Sequence, residues 1–403
     1  MKILFLTPRL PYPPHRGDKL KIWNLMRQLS ARHQIVLLTF VESRSELKWL
    51  DPLKAVCEEV HVVHLPVWRS ALQCLAAVPT GIPFQVAYFY SREMHRKLGE
   101  LVKRIQPDIL HTHLIRMAQY SAEYESCPTV LDMTDAVSLY LRRFRNRESN
   151  PFLKLFLDQE LRRVREYEHI IAQFDIGLVC SDTDRAFLLE HNDHLNLDLL
   201  PNGVDVDAFA SDAQAKTDPQ RIIFTGNMSY YPNVDGASFL VQDVFPKVKR
   251  QVPGAKLFIV GQKPPRKISS LAGKDVTITG FVQDIRSEYL KSAVAVSPIR
   301  FGAGTLNKVL EPLALGIPVV STSIGLEGLG LKIGEEILIA DDADAFADAI
   351  ISLLEDPTKR ELLAGAASKR IRQTFNWSTI AQGLERIYER LIDHRKESRV
   401  KTD

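Results

Sequence analysis

"RFGAGTLNKVLEPLALGIPVVST", Arg300 to Thr322, sets a glycine turn, a lysine and a glutamate ahead of an apolar run. The preceding "VAVSPI" and the closing "PVVST" read as buried strands, and Leu306, Val309, Leu310 and Leu313 share one face of the helix between them. Strand, helix and strand in that order make a βαβ unit, which predicts a parallel sheet covered by helices. Gly302 and Gly304 supply a turn open to positive φ and to a close ligand, and Thr305 is the expected helix N-cap. Lys308 and the N–H groups of the helix start then form an anion site suited to a diphosphate. Glu311, three residues on, is an acceptor-only carboxylate suited to paired hydroxyls such as a ribose diol. Pro312 removes an N–H and frees the carbonyl of Lys308. A solvated Lys–Glu pair beside an ordinary turn is the plain alternative. No Gly-Lys-Ser/Thr follows, and the GxGxxG spacing is absent.

The same alternation extends in both directions. In the first half the strand candidates are "KILFLT" (2–7), "QIVLLTF" (34–40), "EVHVVHL" (59–65), "DILHTHL" (108–114), "TVLDMT" (129–134) and "IGLVCS" (176–181). In the second they are "RIIFTG" (221–226), "KLFIVG" (256–261), "VTITG" (276–280), "VAVSPI" (294–299), "PVVST" (318–322) and "ILIA" (337–340). Between them "NGVDVDAFASDAQAKTDPQ", 202–220, is small, polar and strandless. The expected fold is α/β, with two Rossmann-like doubly wound domains whose strand ends face a cleft. The expected boundaries are 1–209 for the first domain, 210–220 for a linker, 221–375 for the second, and 376–403 for a helix that returns to the first domain, with a frayed tail.

Composition excludes several classes. A chain of 403 residues, 45% hydrophobic, fills two cores, and a net charge of +3 from 52 basic and 49 acidic residues argues against nucleic-acid binding. Cys57, Cys74, Cys127 and Cys180 form no CxxC and fit a reduced, cytoplasmic setting without a structural metal. The apolar run at the N-terminus is too short for a signal peptide or a membrane span. The stretch from Ser70 to Tyr90, broken by two prolines and a glycine, reads as loop and short helix.

Three segments together resemble the glycosyltransferases of the GT-B fold, family 4. "LEPLALGIPVV" is similar to the second half of that family's Glu-x7-Glu segment, "LLPNGVDVDAF" to its domain junction, and "GFVQDIRSEYLKSAVAVSPIR" to the stretch before its donor loop. With "LTPRLPYPPHRGDKLKIWNLMRQL" near the start, the chain looks closest to sugar transferases associated with exosortase/PEP-CTERM exopolysaccharide systems. The resemblance implies a retaining transferase that takes a nucleotide diphosphate sugar as donor substrate and needs no cofactor. It implies that Glu311 binds the ribose, and that the N–H groups near Val309 and Leu310 face the diphosphate. Gly17 would allow close approach from the first domain, and Phe281 and Val282 would flank the base. There are departures. The family's first glutamate falls at Ala303, so the backbone of Gly302 to Thr305 would replace it, and Asn227 in "FTGNMSYYPN" stands where an Arg and a Lys are usual. Lys308 and Arg300 would then carry the phosphate charge.

On the first domain, His111 and His113 alternate at one strand end, and "VLDMTDAVS" ends in Asp132 and Asp135. Family positions make His113 and Asp135 the candidates facing sugar or acceptor, with Lys308 stabilising the leaving group. A metal-binding His-x-His lacks further ligands at suitable spacing, and a structural histidine is the plain alternative. The apolar spacing of Phe152, Leu153, Phe156, Leu157, Leu161 and Val164 among arginines suggests either contact with an anionic membrane and a polyprenyl-diphosphate-linked or glycan acceptor, or a core-facing helix with a basic outer face. The former would place the protein at the inner face of the cytoplasmic membrane. A GT-B sugar-nucleotide epimerase and a non-catalytic nucleotide- or glycan-binding protein share these features.

Overall fold

The computed structural model describes residues 1–209 and 217–400, the side chains of 398–400 excepted. The chain divides into two compact units, one reaching Pro201 and including the chain from Ile380, the other running from Asn202 to Thr379. The division thus falls at Pro201/Asn202 rather than 209/210. Most of the expected linker, 210–216, lies outside the described residues, as does the expected frayed tail at 401–403, and the strand Asp218–Thr225 already occupies 218–220.

The first unit is a seven-stranded sheet in the order β3-β2-β1-β4-β5-β6-β7. Its strands are β1 (Lys2–Thr7), β2 (Gln34–Val41), β3 (Glu59–His64), β4 (Ile109–His113), β5 (Thr129–Thr134), β6 (Ile176–Val179) and β7 (Leu197–Leu199). The second is a six-stranded sheet, β10-β9-β8-β11-β12-β13. Its strands are β8 (Asp218–Thr225), β9 (Lys256–Val260), β10 (Val276–Gly280), β11 (Ser292–Ser297), β12 (Val319–Ser321) and β13 (Leu338–Ile339). Every pairing within the two sheets is parallel. Central strands such as β1 and β11 are buried on both faces, which is why they read as continuous apolar runs. All twelve expected strands are present; β7, three half-buried residues, is the addition.

Strand order reverses between β1 and β4 in the first unit and between β8 and β11 in the second. In open parallel sheets ligands bind outside the carboxyl ends at such a reversal. Each unit therefore has one place where chemistry is expected.

The helix Trp377–Val400 belongs to the first unit from Ile380 onward. It buries Ile380, Ala381, Leu384, Ile387 and Tyr388, and the Tyr388 hydroxyl lies 2.7 Å from His111 Nδ1 on β4. Glu385 on the same helix accepts from Arg32 Nη2 at 2.7 Å.

The ends of β8 and β9 approach closely enough to require glycine. A Cβ on Gly261 would lie 1.7 Å from the carbonyl oxygen of Gly226, a backbone atom that cannot swing aside. Gly261→Ala is expected to destabilise the second unit by on the order of 3 kcal/mol, read as a lower midpoint in thermal or urea unfolding. Gly17→Ala meets nothing within 4 Å and should leave the midpoint unchanged.

Candidate functional site

In the second unit the chain leaves β8 through Gly226 and Asn227 and leaves β11 through the Arg300–Thr305 turn into the helix Asn307–Ala314. Leu306 is the N-cap of that helix and makes no side-chain cap. Thr305, expected in that role, is held elsewhere: its hydroxyl accepts the Asn202 N–H at 2.9 Å and its carbonyl accepts Asn202 Nδ2 at 2.8 Å. The "PNGVD" segment therefore clamps the glycine turn. Gly304 has φ of +74°, whereas Gly302 needs no positive φ, and a Cβ there would make an ordinary 3.6 Å contact with Ile299.

The N–H groups of Val309 and Leu310 are not the ones offered to an anion. Both donate to the Leu306 carbonyl, at 2.9 and 3.3 Å, because the helix closes its first turn there. The N–H groups ahead of those bonds belong to Asn307 and Lys308. Asn307 Oδ1, beside them, is buried without a partner.

Lys308 Nζ donates to Asn233 Oδ1 and lies 5.1 Å from the centroid of Phe224. Asn233 Nδ2 in turn donates to the Asn227 carbonyl at 2.8 Å, and Asn227 Oδ1 accepts from the Ser229 N–H at 3.0 Å. Arg300 has a firmer partner than phosphate chemistry would want: Asp235 takes its Nε and Nη2 at 2.9 and 2.6 Å, and the guanidinium sits over Phe239. Asn233 and Asp235 both lie on the helix Tyr231–Phe239. One helix after β8 thus receives both basic side chains, a role that sequence reading missed because the partners are 65 to 75 residues away.

Glu311 is steered by Tyr289, whose buried hydroxyl donates to Oε2 at 3.3 Å and shares a 2.6 Å hydrogen bond with Thr225 Oγ1. Nothing in "SEYLKSA" marks Tyr289 as a partner of a carboxylate. Both charged groups on the Asn307–Ala314 helix are half-buried. Burial pushes Lys308 down to about 7, with Glu311 opposing the shift. Burial likewise pushes Glu311 up to about 7, against Tyr289 and Lys308. Phe281, directly after β10, is 59% exposed, while the neighbouring Val282 packs on the core.

In the first unit the strand ends gather around Asp132. Lys21 Nζ donates to its Oδ1 at 2.7 Å and to the Leu200 carbonyl at 2.9 Å, and the Thr134 N–H donates to the same Oδ1 at 3.2 Å. Burial opposes the charge on Asp132, but Lys21 and the two histidines outweigh it and hold the carboxyl well below its usual range. His113 is engaged on both sides, with Nδ1 3.1 Å from Asp132 Oδ2 and Nε2 3.1 Å from the Asp18 carbonyl. That carbonyl belongs to the first turn of the helix Gly17–Leu29, so His113 fixes the helix start at Gly17, which is the first helical residue rather than part of the preceding loop.

Asp135 is placed differently. Burial, reinforced by Asp184, pushes its carboxyl up to about 7, with Arg116 and Lys21 opposing. Thr134 before it takes φ of +69°, and its Oγ1 is buried without a partner. A β-branched residue held in that conformation is costly and marks a constrained strand end. Among the described residues no three His, Cys, Asp or Glu side chains are grouped as metal ligands.

Residues 219–356 match the family described as "Glycosyl transferases group 1". The chain is 29% identical to phosphatidyl-myo-inositol mannosyltransferase of Mycobacterium tuberculosis over 204 residues, 47% of this chain and 53% of that enzyme. Sucrose-phosphate synthase from Thermosynechococcus elongatus superposes with a TM-score of 0.73 at 17% identity, covering 98% of this chain and all of that one. Residues 219–356 thus carry the group 1 glycosyltransferase match, and the chain has the GT-B fold. An uncharacterised protein in the cps region of Klebsiella pneumoniae is 23% identical to this chain over 93% of its length, covering 96% of that protein. HepE from Anabaena, solved with UDP, superposes with a TM-score of 0.67 at 15% identity over 97% of this chain and all of HepE. The family match spans Asn227, Asn233, Tyr289, Arg300, Lys308 and Glu311.

Because the folded-state pKa of Asp135 is raised, the folded state binds the extra proton between the usual carboxylate range and about 7, and stability falls as pH rises through that interval. Asp135→Asn removes the charge. It is expected to raise the thermal midpoint by a few degrees near pH 8 and by little near pH 5, as measured by scanning calorimetry at the two pH values.

Proposed function

We propose that the chain is a glycosyltransferase that moves a sugar from a nucleotide diphosphate sugar to a glycan or polyprenyl-diphosphate-linked acceptor. In this reading it acts without a metal, with retention of configuration, in exopolysaccharide or cell-surface glycan synthesis at the inner face of the cytoplasmic membrane. The observation that carries the reading is the Lys308–Glu311 pair, one turn apart on a helix that starts at the β8/β11 reversal, with Tyr289 and Asn233 aiming the two side chains. Support for the donor class comes from HepE, solved with UDP and with UDP-glucose. Support for the pathway comes from the cps-region protein and from mycobacterial mannosyltransferases named for a phosphatidylinositol acceptor. The exosortase association rests on the resemblance of "GAGTLNKVLEPLA" together with "LTPRLPYPPHRGDKLKIWNLMRQL".

In the proposed reaction the bond between the anomeric carbon and the phosphate oxygen breaks, and the electron pair leaves with the nucleotide diphosphate. The N–H groups of Asn307 and Lys308 and the Lys308 ammonium stabilise that growing charge, which is the part a metal ion would otherwise play. Glu311 accepts the ribose hydroxyls, with Phe281 and Val282 beside the base. The acceptor oxygen bonds to the anomeric carbon on the face the diphosphate leaves, and its proton passes to the departing phosphate oxygen. Asp135, with a pKa near neutrality, hydrogen-bonds the incoming sugar hydroxyl, and His113 acts as a positioning residue for the helix start at Gly17.

Lys308→Ala is expected to lower transfer by on the order of a hundredfold or more, while the unfolding midpoint stays near wild type. Product analysis without acceptor supplies the control against an epimerase, which alone would interconvert the donor sugar. Near wild-type transfer by Lys308→Ala would remove the lysine from the mechanism.

A further inference from the structure

The helix Val67–Ala77 is inverted in polarity. Its inward positions are polar or small: Ser70 is fully buried, Gln73 Nε2 donates to the Tyr90 carbonyl at 2.8 Å, and Cys74 Sγ reaches the Phe84 carbonyl at 3.5 Å. Its outward positions are large and apolar, with Val67, Trp68, Leu72 and Leu75 each more than half exposed. The helix Arg92–Ile105 in the same unit does the opposite, burying Met94, Leu98, Leu101, Val102 and Ile105. Folding of the first unit therefore leaves the hydrophobic face of Val67–Ala77 unused.

The apolar surface continues beyond that helix. Val78 and Ile82 follow it in the chain and are 54% and 46% exposed. The loop then docks on the helix Pro151–Glu168: Arg163 Nη2 donates to the Val78 carbonyl at 2.6 Å, the Phe84 N–H donates to Glu160 Oε1 at 2.8 Å, and Phe84 stacks on Phe156 at 5.6 Å. At the start of that helix Phe152 and Leu155 are 83% and 71% exposed. The patch is on the order of several hundred Å², more than scattered surface residues account for.

Charge selects the occupant. Residues 65–90 contain one charged side chain, Arg69, and residues 137–168 carry eight Arg or Lys against five Asp or Glu. An apolar face with a basic neighbourhood suits anionic headgroups above hydrocarbon. The Val67–Ala77 helix has 11 residues, about 16 Å long, too short to span a bilayer but long enough to lie in its interface with Trp68 as an anchor. No helix among the described residues is long and apolar enough to cross a membrane.

We propose that Val67, Trp68, Leu72, Leu75, Val78 and Ile82, continued by Phe152, dock the first unit on the surface of a bilayer containing anionic lipids. The inference rests on the proposed lipid-linked acceptor for its purpose. It centres the membrane contact on the inverted helix and keeps only the exposed start of the Pro151–Glu168 helix, since Leu157 and Val164 are buried in the unit.

The test is co-sedimentation of the full chain with phosphatidylcholine vesicles, with and without phosphatidylglycerol. The expected result is salt-sensitive binding to the anionic vesicles that falls at least tenfold in a Trp68→Ser/Leu72→Ser/Leu75→Ser variant and not in Leu362→Ser, an equally exposed leucine of the second unit. Circular dichroism and slow donor hydrolysis, both expected unchanged, show that the triple variant is folded. Wild-type protein left in the supernatant, or a triple variant that binds like wild type, would overturn the proposal. So would a wild-type dimer that the triple variant dissociates in sedimentation velocity, because a second copy would then cover the face. Vesicle binding needs no donor, so it succeeds or fails independently of the transferase reading.

Discussion

Parallel pairing throughout both sheets is the constraint from which the candidate chemistry follows. It sends every strand of a unit out through the same edge, so residues distant in sequence meet where the strand order reverses. In the second unit that edge joins Asn227 after β8 to the glycine turn after β11. In the first it joins the helix start at Gly17, after β1, to His113 at the end of β4. This pairing brings Lys308 within reach of Asn233, and His113 within reach of Asp18.

The two edges spend charge differently. Around Asp132 the network is closed: a lysine, a histidine and a backbone N–H satisfy one carboxylate, and the lysine has a carbonyl as a second partner. Such a buried pair costs desolvation and holds only because its partners are complete. Lys308 is left open. Its hydrogen-bond partner is the neutral amide of Asn233, and among the described residues no carboxylate lies within ion-pair distance. Burial lowers its pKa with only Glu311 opposing, and an arriving diphosphate would supply further negative charge. An incomplete site of this kind favours a ligand over internal stability.

Much of this arrangement was legible in the sequence because it is local. Twelve strands showed as short apolar runs, and Lys308 and Glu311 share a helix face by spacing alone. The short β7 gave no comparable run. What escaped was set at a distance: Asn202 takes Thr305 away from the helix cap across about a hundred residues, Asp235 claims Arg300, and Tyr289 aims Glu311 from a helix with no distinguishing pattern. The Val67–Ala77 helix was read as a short helix, yet its inverted polarity needed the fold, because apolar residues at helical spacing ordinarily face inward.

The most direct measurement is calorimetric titration of uridine, guanosine and adenosine diphosphate sugars near pH 8, in buffers of different ionisation enthalpy. At that pH the free protein holds Lys308 largely neutral, and an anionic ligand raises its proton affinity. The account predicts selective binding of one donor class with net proton uptake, and loss of that uptake in Lys308→Ala. Absence of binding by every nucleotide sugar, or binding that releases protons, would contradict it.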